Sequence, residues 1–268
     1  MGTYVIGDIH GCLKEFKALV KKIEKNDSDA HFILVGDIVD RGPEELEMIR
    51  YAMKHFNKPD GKYEMLLGNH EYNKMNFLRI MLADDDEETF KQSPDILSSD
   101  KDNIVSNEEL KEIYEFFESL PIYKELDVVT NGKKQHYIIT HGCLKSKFLN
   151  KDETFKKNSL KKKAMHYEAM SDGKDTVFKM VNNRNEYSPY KTILVHGHTP
   201  TVDGYSKGRI EFGKKYINVD CGCVYRKQGF KEANLAAIRL EDLEEFYLYK
   251  PVKMPEENQK YKDDILRL

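Results

Sequence analysis

Two hydrophobic periods alternate through the first third of the chain. Short apolar runs of strand length, Tyr4-Val5-Ile6, Phe32-Ile33-Leu34-Val35 and Tyr63-Glu64-Met65-Leu66-Leu67, are separated by stretches with helical spacing. Leu13, Phe16, Leu19, Val20 and Ile23 recur on one face of the first, which the polar cluster Asn26-Asp27-Ser28-Asp29 closes. Leu46, Ile49, Met53 and Phe56 recur in the second, with Pro43 suited to its first helical position. Asp60-Gly61 supplies the turn before the third run. The order β-α-β-α-β predicts a parallel sheet with right-handed crossovers.

The pattern changes after Glu71. A helical start through Phe77 and Leu78 gives way to an acidic run from Asp84 to Glu88 and a polar stretch around Ser93-Pro94 and Ser98-Ser99-Asp100, which reads as a solvated loop. A second helix starts at Asn107 as N-cap, carries Leu110, Ile113, Phe116, Phe117 and Leu120 on its apolar face, and stops at Pro121. Ile122 to Val129 and Gln135 to Thr140 flank Asn131-Gly132, a strong hairpin signal. Helical character returns over Ala164 to Val181, and Ile193-Leu194-Val195 forms another strand. The short runs at Thr201-Val202, 209–212, 216–219, 235–238 and 246–249, parted by Gly204, Gly208, Gly213 and Gly229, predict a mostly antiparallel meander.

These elements add up to a mixed α/β (α+β) fold, a two-sheet β-sandwich flanked by helices, with a mixed first sheet and a largely antiparallel second. One domain over residues 1–250 is expected. Residues 73–120 form a helical insertion over the sheet, with too few apolar residues for a core of their own. Residues 251–268 read as a charged, loosely held tail.

Composition narrows this picture only modestly. A 268-residue chain that is 40% hydrophobic and 33% charged suits a globular protein with an ionic surface, not a disordered one. With 43 basic and 46 acidic side chains the formal charge is −3, so overall charge points neither to stable nucleic-acid binding nor to an anionic membrane. No apolar segment approaches the roughly 20 residues of a membrane-spanning helix, and the first strand begins almost at Met1 with no room for a signal peptide. A cytoplasmic location is expected. Cys12, Cys143, Cys221 and Cys223 have neither a disulfide-framework spacing nor a zinc-site spacing and read as reduced thiols. The eight lysines between Lys145 and Lys163 are the most basic stretch, either a steering surface for anionic substrates or a solvated face.

The chemistry concentrates where the apolar runs end. Gly7-Asp8-Ile9-His10-Gly11, Gly36-Asp37-Ile38-Val39-Asp40-Arg41-Gly42, Gly68-Asn69-His70-Glu71 and His196-Gly197-His198-Thr199-Pro200 each place oxygen and nitrogen ligands beside glycine at a strand end. Ligands gather beyond the carboxyl ends of strands in open α/β sheets. His141-Gly142 follows the second hairpin strand. Asp8, His10, Asp37, Asn69, His141 and His198 form a thiolate-free set suited to Mn²⁺, Fe, Zn²⁺ or Mg²⁺, and six exceed the needs of one catalytic ion. Two ions sharing one carboxylate is the economical arrangement. Such a pair can hold a hydroxide as nucleophile and clamp a phosphoryl group. Arg41 offers a planar fork to phosphate. His70 is the candidate general acid, and Asp40 the group that holds its ring and raises its pKa.

The first three motifs resemble the signatures of the phosphoprotein phosphatase family of calcineurin-like metallophosphoesterases, and His141-Gly142 and Gly197-His198-Thr199-Pro200 are similar to its remaining metal motifs. Asn218-Val219-Asp220-Cys221-Gly222-Cys223 extends the likeness into the last strands, as in small bacterial members. The resemblance implies a calcineurin-like fold with a dimetal site. It makes Asp8, His10 and Asp37 ligands of one divalent ion and Asp37, Asn69, His141 and His198 ligands of a second, with Mn²⁺ the expected metal. It implies contacts to substrate from Arg41, Asn69 and His70, and it assigns a second phosphate arginine to Arg184, the only arginine between the last two histidine ligands. Pro200, where broader metallophosphoesterases carry a further histidine, fits the phosphoprotein phosphatase branch. The activity implied is phosphoester hydrolysis by direct attack of a metal-bridging hydroxide. Protein serine/threonine phosphates are the leading substrate class, and symmetrical cleavage of diadenosine tetraphosphate is the alternative. A non-catalytic phosphate-binding module is a second alternative.

A single Asp or His at a strand end is more often structural, and only joint occurrence favours the six ligands. His196 should face away from its neighbour and reads as structural or supporting. Asp220 either supports a ligand histidine or caps a turn. His31, His55, His136 and His166 have no motif around them.

Overall fold

The computed structural model describes residues 1–83, 105–142 and 192–268. Strands β1 (Thr3–Ile6), β2 (His31–Leu34) and β3 (Tyr63–Met65) are parallel neighbours, joined by helices α1 (Leu13–Glu24) and α2 (Glu45–His55). Alternation along the strands decides what each face buries. Val5 and Ile33 pair in register and point into the space between two sheets, where they meet Tyr137, Ile139, Ile193, Val195 and Ile217. Tyr4, Ile6, Phe32 and Leu34 point the other way, onto Phe16, Leu19 and Ile23 of α1 and Leu46 and Ile49 of α2. Side chains of this size contribute about 1.5–3 kcal/mol each when fully buried. Glu15 near the start of α1 and Lys21 and Lys22 near its end complement the helix dipole.

Helix α3 (Asn69–Ala83) follows β3, and α4 (Asn107–Ser119) packs against it. Ser106, not Asn107, is the N-cap of α4, its hydroxyl accepting from Glu109 N–H at 3.2 Å. Leu110, Ile113 and Phe117 are buried in the α1/α2 core, and Phe116 is only partly covered. Helix α2 begins two residues after Pro43.

The second sheet contains β4 (Tyr123–Thr130), β5 (Lys133–Thr140), β6 (Ile193–His196), β7 (Glu211–Gly213) and β8 (Tyr216–Asn218) in the order β4-β5-β6-β8-β7. The first sheet has the order β10-β9-β1-β2-β3, with β9 (Ala236–Arg239) and β10 (Glu245–Tyr247) antiparallel on its β1 side. Two features differ from expectation. The second sheet is mixed, because β5-β6 and β6-β8 pair in parallel. The terminal meander is split, with β7-β8 in one sheet and β9-β10 in the other, and Thr201–Asp203 forms a 3₁₀ turn. Sequence neighbours do pair locally, but the two hairpins belong to different sheets.

The closing segment also differs from expectation. Glu256–Arg267 is a helix, α5, docked on β7 with Asn258 and Ile265 buried. The Asn258 amide bonds the outer edge of the second sheet, donating to Ile210 O and accepting from Phe212 N–H. Between the sheets' other margins, His31 of β2 and Lys124 of β4 both reach Glu64 of β3, at 2.9 and 2.7 Å. No helix among the described residues is long and apolar enough to cross a membrane. The lysine-rich stretch, the helix expected over Ala164 to Val181, Cys143, His166 and Arg184 lie outside the described residues.

Candidate metal centre

The loops leaving β1, β2, β3, β5 and β6 converge at one end of the sandwich. His10, Asp37, Asp40, Arg41 and His198 all have positive φ, between 47° and 69°, a conformation uncommon for residues with a Cβ. Strain of this kind persists only where surrounding contacts over-determine it. Glu71 supplies much of that restraint. Its carboxylate, 0% exposed, accepts backbone N–H bonds from Asp37 and Gly68 on one oxygen (2.8 and 2.9 Å) and from Ile38 and Val39 on the other (2.8 and 3.2 Å). Gly68 is obligatory beside it, since a Cβ there would lie 2.2 Å from Asp37 Oδ1.

Asp37 stands at the centre of two groups of mutually close ligand atoms, His10–Asp37–His70 and Asp37–His141–His198. In the second, His141 Nε2 lies 3.2 Å from Asp37 Oδ2, 2.9 Å from Asn69 Oδ1 and 3.1 Å from His198 Nδ1. Asn69 Oδ1 and His198 Nδ1 are 2.7 Å apart. The other nitrogen of His141 faces Val35 O at 3.1 Å, and His10 Nδ1 likewise faces Val39 O at 2.8 Å. Those carbonyls take the Nδ1 N–H and turn each Nε2 inward. Donors held about 2.0–2.2 Å from a common ion sit roughly 3 Å from one another, so this spacing is that of one coordination sphere.

Electrostatics give the same fit. Asp8, Asp37, Glu71 and Asp220 are all 2% exposed or less and lie in one loop cluster, an arrangement that is costly without an opposing positive charge. Burial, reinforced by Asp220, pushes Asp8 far above the carboxylate range, and burial with Asp37 pushes Glu71 up to about 7. Burial is opposed at His141, where the Asp37 carboxylate prevails and raises the ring to about 10. Burial lowers His10 to about 4 and His198 to about 3, keeping both as neutral imidazoles, the form that binds metal. The residues present therefore suit divalent cations.

Asp8 also braces the β6 loop, both of its oxygens accepting from His198 N–H at 3.1 Å, and His70 joins the group around His10 and Asp37. Arg41 spans the first group, its two terminal nitrogens 2.9 Å from His10 Nε2 and 3.1 Å from His70 Nε2. His70 donates through Nδ1 to Asp40 Oδ2, and its backbone N–H bonds Asp37 Oδ1 at 2.9 Å. Asp40 is lowered to about 2, the bonds from His70 and Lys74 outweighing its burial. His196 is buried with Nδ1 on Gly197 O at 3.0 Å, apart from both groups. Asp220 caps a turn by accepting from Gly222 N–H at 2.9 Å. Glu71 and Lys74 had no role legible in the sequence, since most of their partners come from the distant β2 loop and the start of α2; for Glu71 the only signal was its place in the Gly68-Asn69-His70-Glu71 motif.

A family model described as calcineurin-like phosphoesterase matches residues 1–226. The asymmetrical bis(5'-nucleosyl)-tetraphosphatase PrpE of Bacillus subtilis strain 168 is 28% identical over 248 residues, covering 86% of this chain and 91% of that protein. A symmetrical bis(5'-nucleosyl)-tetraphosphatase of Legionella pneumophila strain Lens is 29% identical over 154 residues, 51% of this chain and 54% of that one. In fold, the chain is similar to a protein serine/threonine phosphatase from Saccharomyces cerevisiae, with TM-score 0.52 and 16% identity over 96% of this chain and 82% of that chain. Since the family match runs through both sheets and every described loop of the cluster, this chain belongs to the calcineurin-like phosphoesterases, a family of metal-dependent hydrolases.

Proposed function

We propose that the chain hydrolyses phosphoric anhydride bonds of a dinucleoside polyphosphate, using two divalent cations that share Asp37. The observation that carries this reading is the Asp37 carboxylate placed between two ligand groups, with Arg41 and His70 on the same side. The substrate class is supported by the Bacillus relative, similar across most of both chains. Asp8, His10, Asp37, Asn69, His141 and His198 would hold the ions, and Mn²⁺ is the proposed metal. Such ions, when bound, polarise phosphoryl oxygens and lower the pKa of water.

The protein's own part is to bind, orient and move a proton. The Arg41 fork can turn both N–H groups onto phosphoryl oxygens and fix the phosphorus in line. Asp40 holds His70 by Nδ1, leaving Nε2 to deliver a proton to the departing oxygen. Arg184 is the proposed second phosphate arginine, and the cytoplasm the proposed compartment, in keeping with free Cys12, Cys221 and Cys223.

A second reading, hydrolysis of serine and threonine phosphates on proteins, is favoured by the His70–Asp40 pair itself. An alkoxide leaves poorly without a proton, whereas a nucleotide phosphate leaves readily, so a built general acid serves the ester more. Parallel assays of diadenosine tetraphosphate and a phosphoserine peptide with Mn²⁺ separate the two. Higher kcat/KM on the dinucleotide is expected, and preference for the peptide would replace the leading reading. Asp37→Asn should abolish turnover of either substrate. Hydrolysis by wild type and by Asp37→Asn that is equal and no faster than without protein would leave only a phosphate-binding module.

A further inference from the structure

Lys74 lies one helical turn beyond His70 on α3, its side chain only 11% exposed. Its Nζ is 2.7 Å from Asp40 Oδ1 and 2.7 Å from Glu45 Oε1 at the start of α2. Both Asp40 oxygens are therefore engaged, Oδ2 by His70 and Oδ1 by Lys74. Asp40 sits at φ 65°, next to Arg41 at φ 68°, with its side chain 31% exposed. Water can compete there for a carboxylate held on one side only, and rotation of that carboxylate would release the His70 ring. A plain ion pair tying α2 to α3 would need only the Glu45 contact, and the second contact is what reaches the site.

We propose that Lys74 is a positioning residue that pins the Asp40 carboxylate, so that His70 Nε2 faces the leaving oxygen. Lys74 thereby sets how well the enzyme handles esters whose leaving group needs a proton. This rests on the phosphoester hydrolase reading above, with His70 as its proton donor.

The test compares the full-length wild type, K74M, K74R and E45Q on a phosphoserine peptide and on 2,4-dinitrophenyl phosphate, whose leaving group needs no proton. K74M should lower kcat on the peptide on the order of 10- to 100-fold, with KM and the dinitrophenyl rate each changed by no more than about threefold. K74R should restore most of the loss, and E45Q, which removes only the α2 contact, should stay within about twofold of wild type. In an H70N background K74M should add nothing. Equal losses on both substrates, a substrate split in E45Q, or losses that multiply with H70N would overturn the proposal. Proton NMR of the His70 Nδ1–H gives a readout free of turnover: the hydrogen-bonded resonance should persist in wild type and K74R and vanish by exchange in K74M. If the wild type hydrolyses neither these esters nor diadenosine tetraphosphate, the hydrolase reading fails; if it cleaves only the dinucleotide, that reading stands and the ester role of Lys74 is overturned. An unchanged resonance in K74M defeats the role of Lys74 by itself.

Discussion

Replacing Glu71 by Gln changes one atom in a fully buried side chain, yet the geometry predicts a large effect. Each carboxylate oxygen accepts two backbone N–H groups, Asp37 and Gly68 on one side and Ile38 and Val39 on the other. An amide has one oxygen, so in either orientation its NH₂ points at two N–H donors that then lack an acceptor. Two unsatisfied buried donors cost about 1–3 kcal/mol each, and the two surviving bonds lose charge assistance worth roughly 1 kcal/mol more. Against this, burial and Asp37 push Glu71 up to about 7, so removing its charge relieves up to about 3 kcal/mol. With costs at mid-range, about 5 kcal/mol, the net expectation is a loss of about 2–5 kcal/mol, or a melting temperature lower by on the order of 5–15 °C for a chain of this size. Because the freed N–H groups are either those of Asp37 and Gly68 or those of Ile38 and Val39, all in the ligand-bearing loops, affinity for Mn²⁺ should fall as well. Urea unfolding and metal titration by calorimetry measure the two effects, with Glu71→Asp as a control that keeps the charge. An unfolding midpoint and metal affinity both equal to wild type would refute the idea that this carboxylate organises the loop.

Other substitutions probe separate parts of the molecule. Gly197→Ala would set a Cβ 2.1 Å from Asp8 Oδ1 and 2.6 Å from Val35 Cγ2, so the purified variant should bind less than the full complement of metal; normal stoichiometry by elemental analysis would contradict this. Asn258→Ala leaves Ile210 O and Phe212 N–H without partners and should cost about 2–4 kcal/mol in urea unfolding, whereas a cost near zero would mean that α5 contributes no edge pairing. Glu64 is lowered to about 2 by His31 first and also by Lys124, so its stabilisation is present above the unfolded value near 4.5 and lost as pH falls towards 2. Discounted for its partial exposure, Glu64→Gln should cost about 1 kcal/mol at pH 7 and almost nothing near pH 2; a difference constant across that range would exclude the ion pairs as its cause.

Much of this architecture was legible in the residues, for identifiable reasons. Periodicity located β1 through β3 and their helices because β1 and β2 bury both faces and each helix only one. The ligand loops were legible because metal chemistry restricts residue types at strand ends. What escaped was long-range or buried in unusual form. Helix α5 shows little apolar spacing, since Asn258 and Ile265 are its buried residues and the remainder is largely charged. The split of β7-β8 from β9-β10 depends on which sheet edge is free, which no local pattern records. Beyond its place in a motif, Glu71 shows no role until the β2 loop closes on it, and the brace that Asp8 gives the β6 loop joins it to His198, far along the chain.

The contact between Asn258 and the border strand bears on what the final residues are for. A chain cut back to residue 250 would keep the family match intact, yet leave a hydrogen-bonding rim at Ile210 and Phe212 able to recruit a strand from another molecule. The terminal helix is therefore best seen as a guard against self-templating: one side-chain amide imitates the next strand and ends the series.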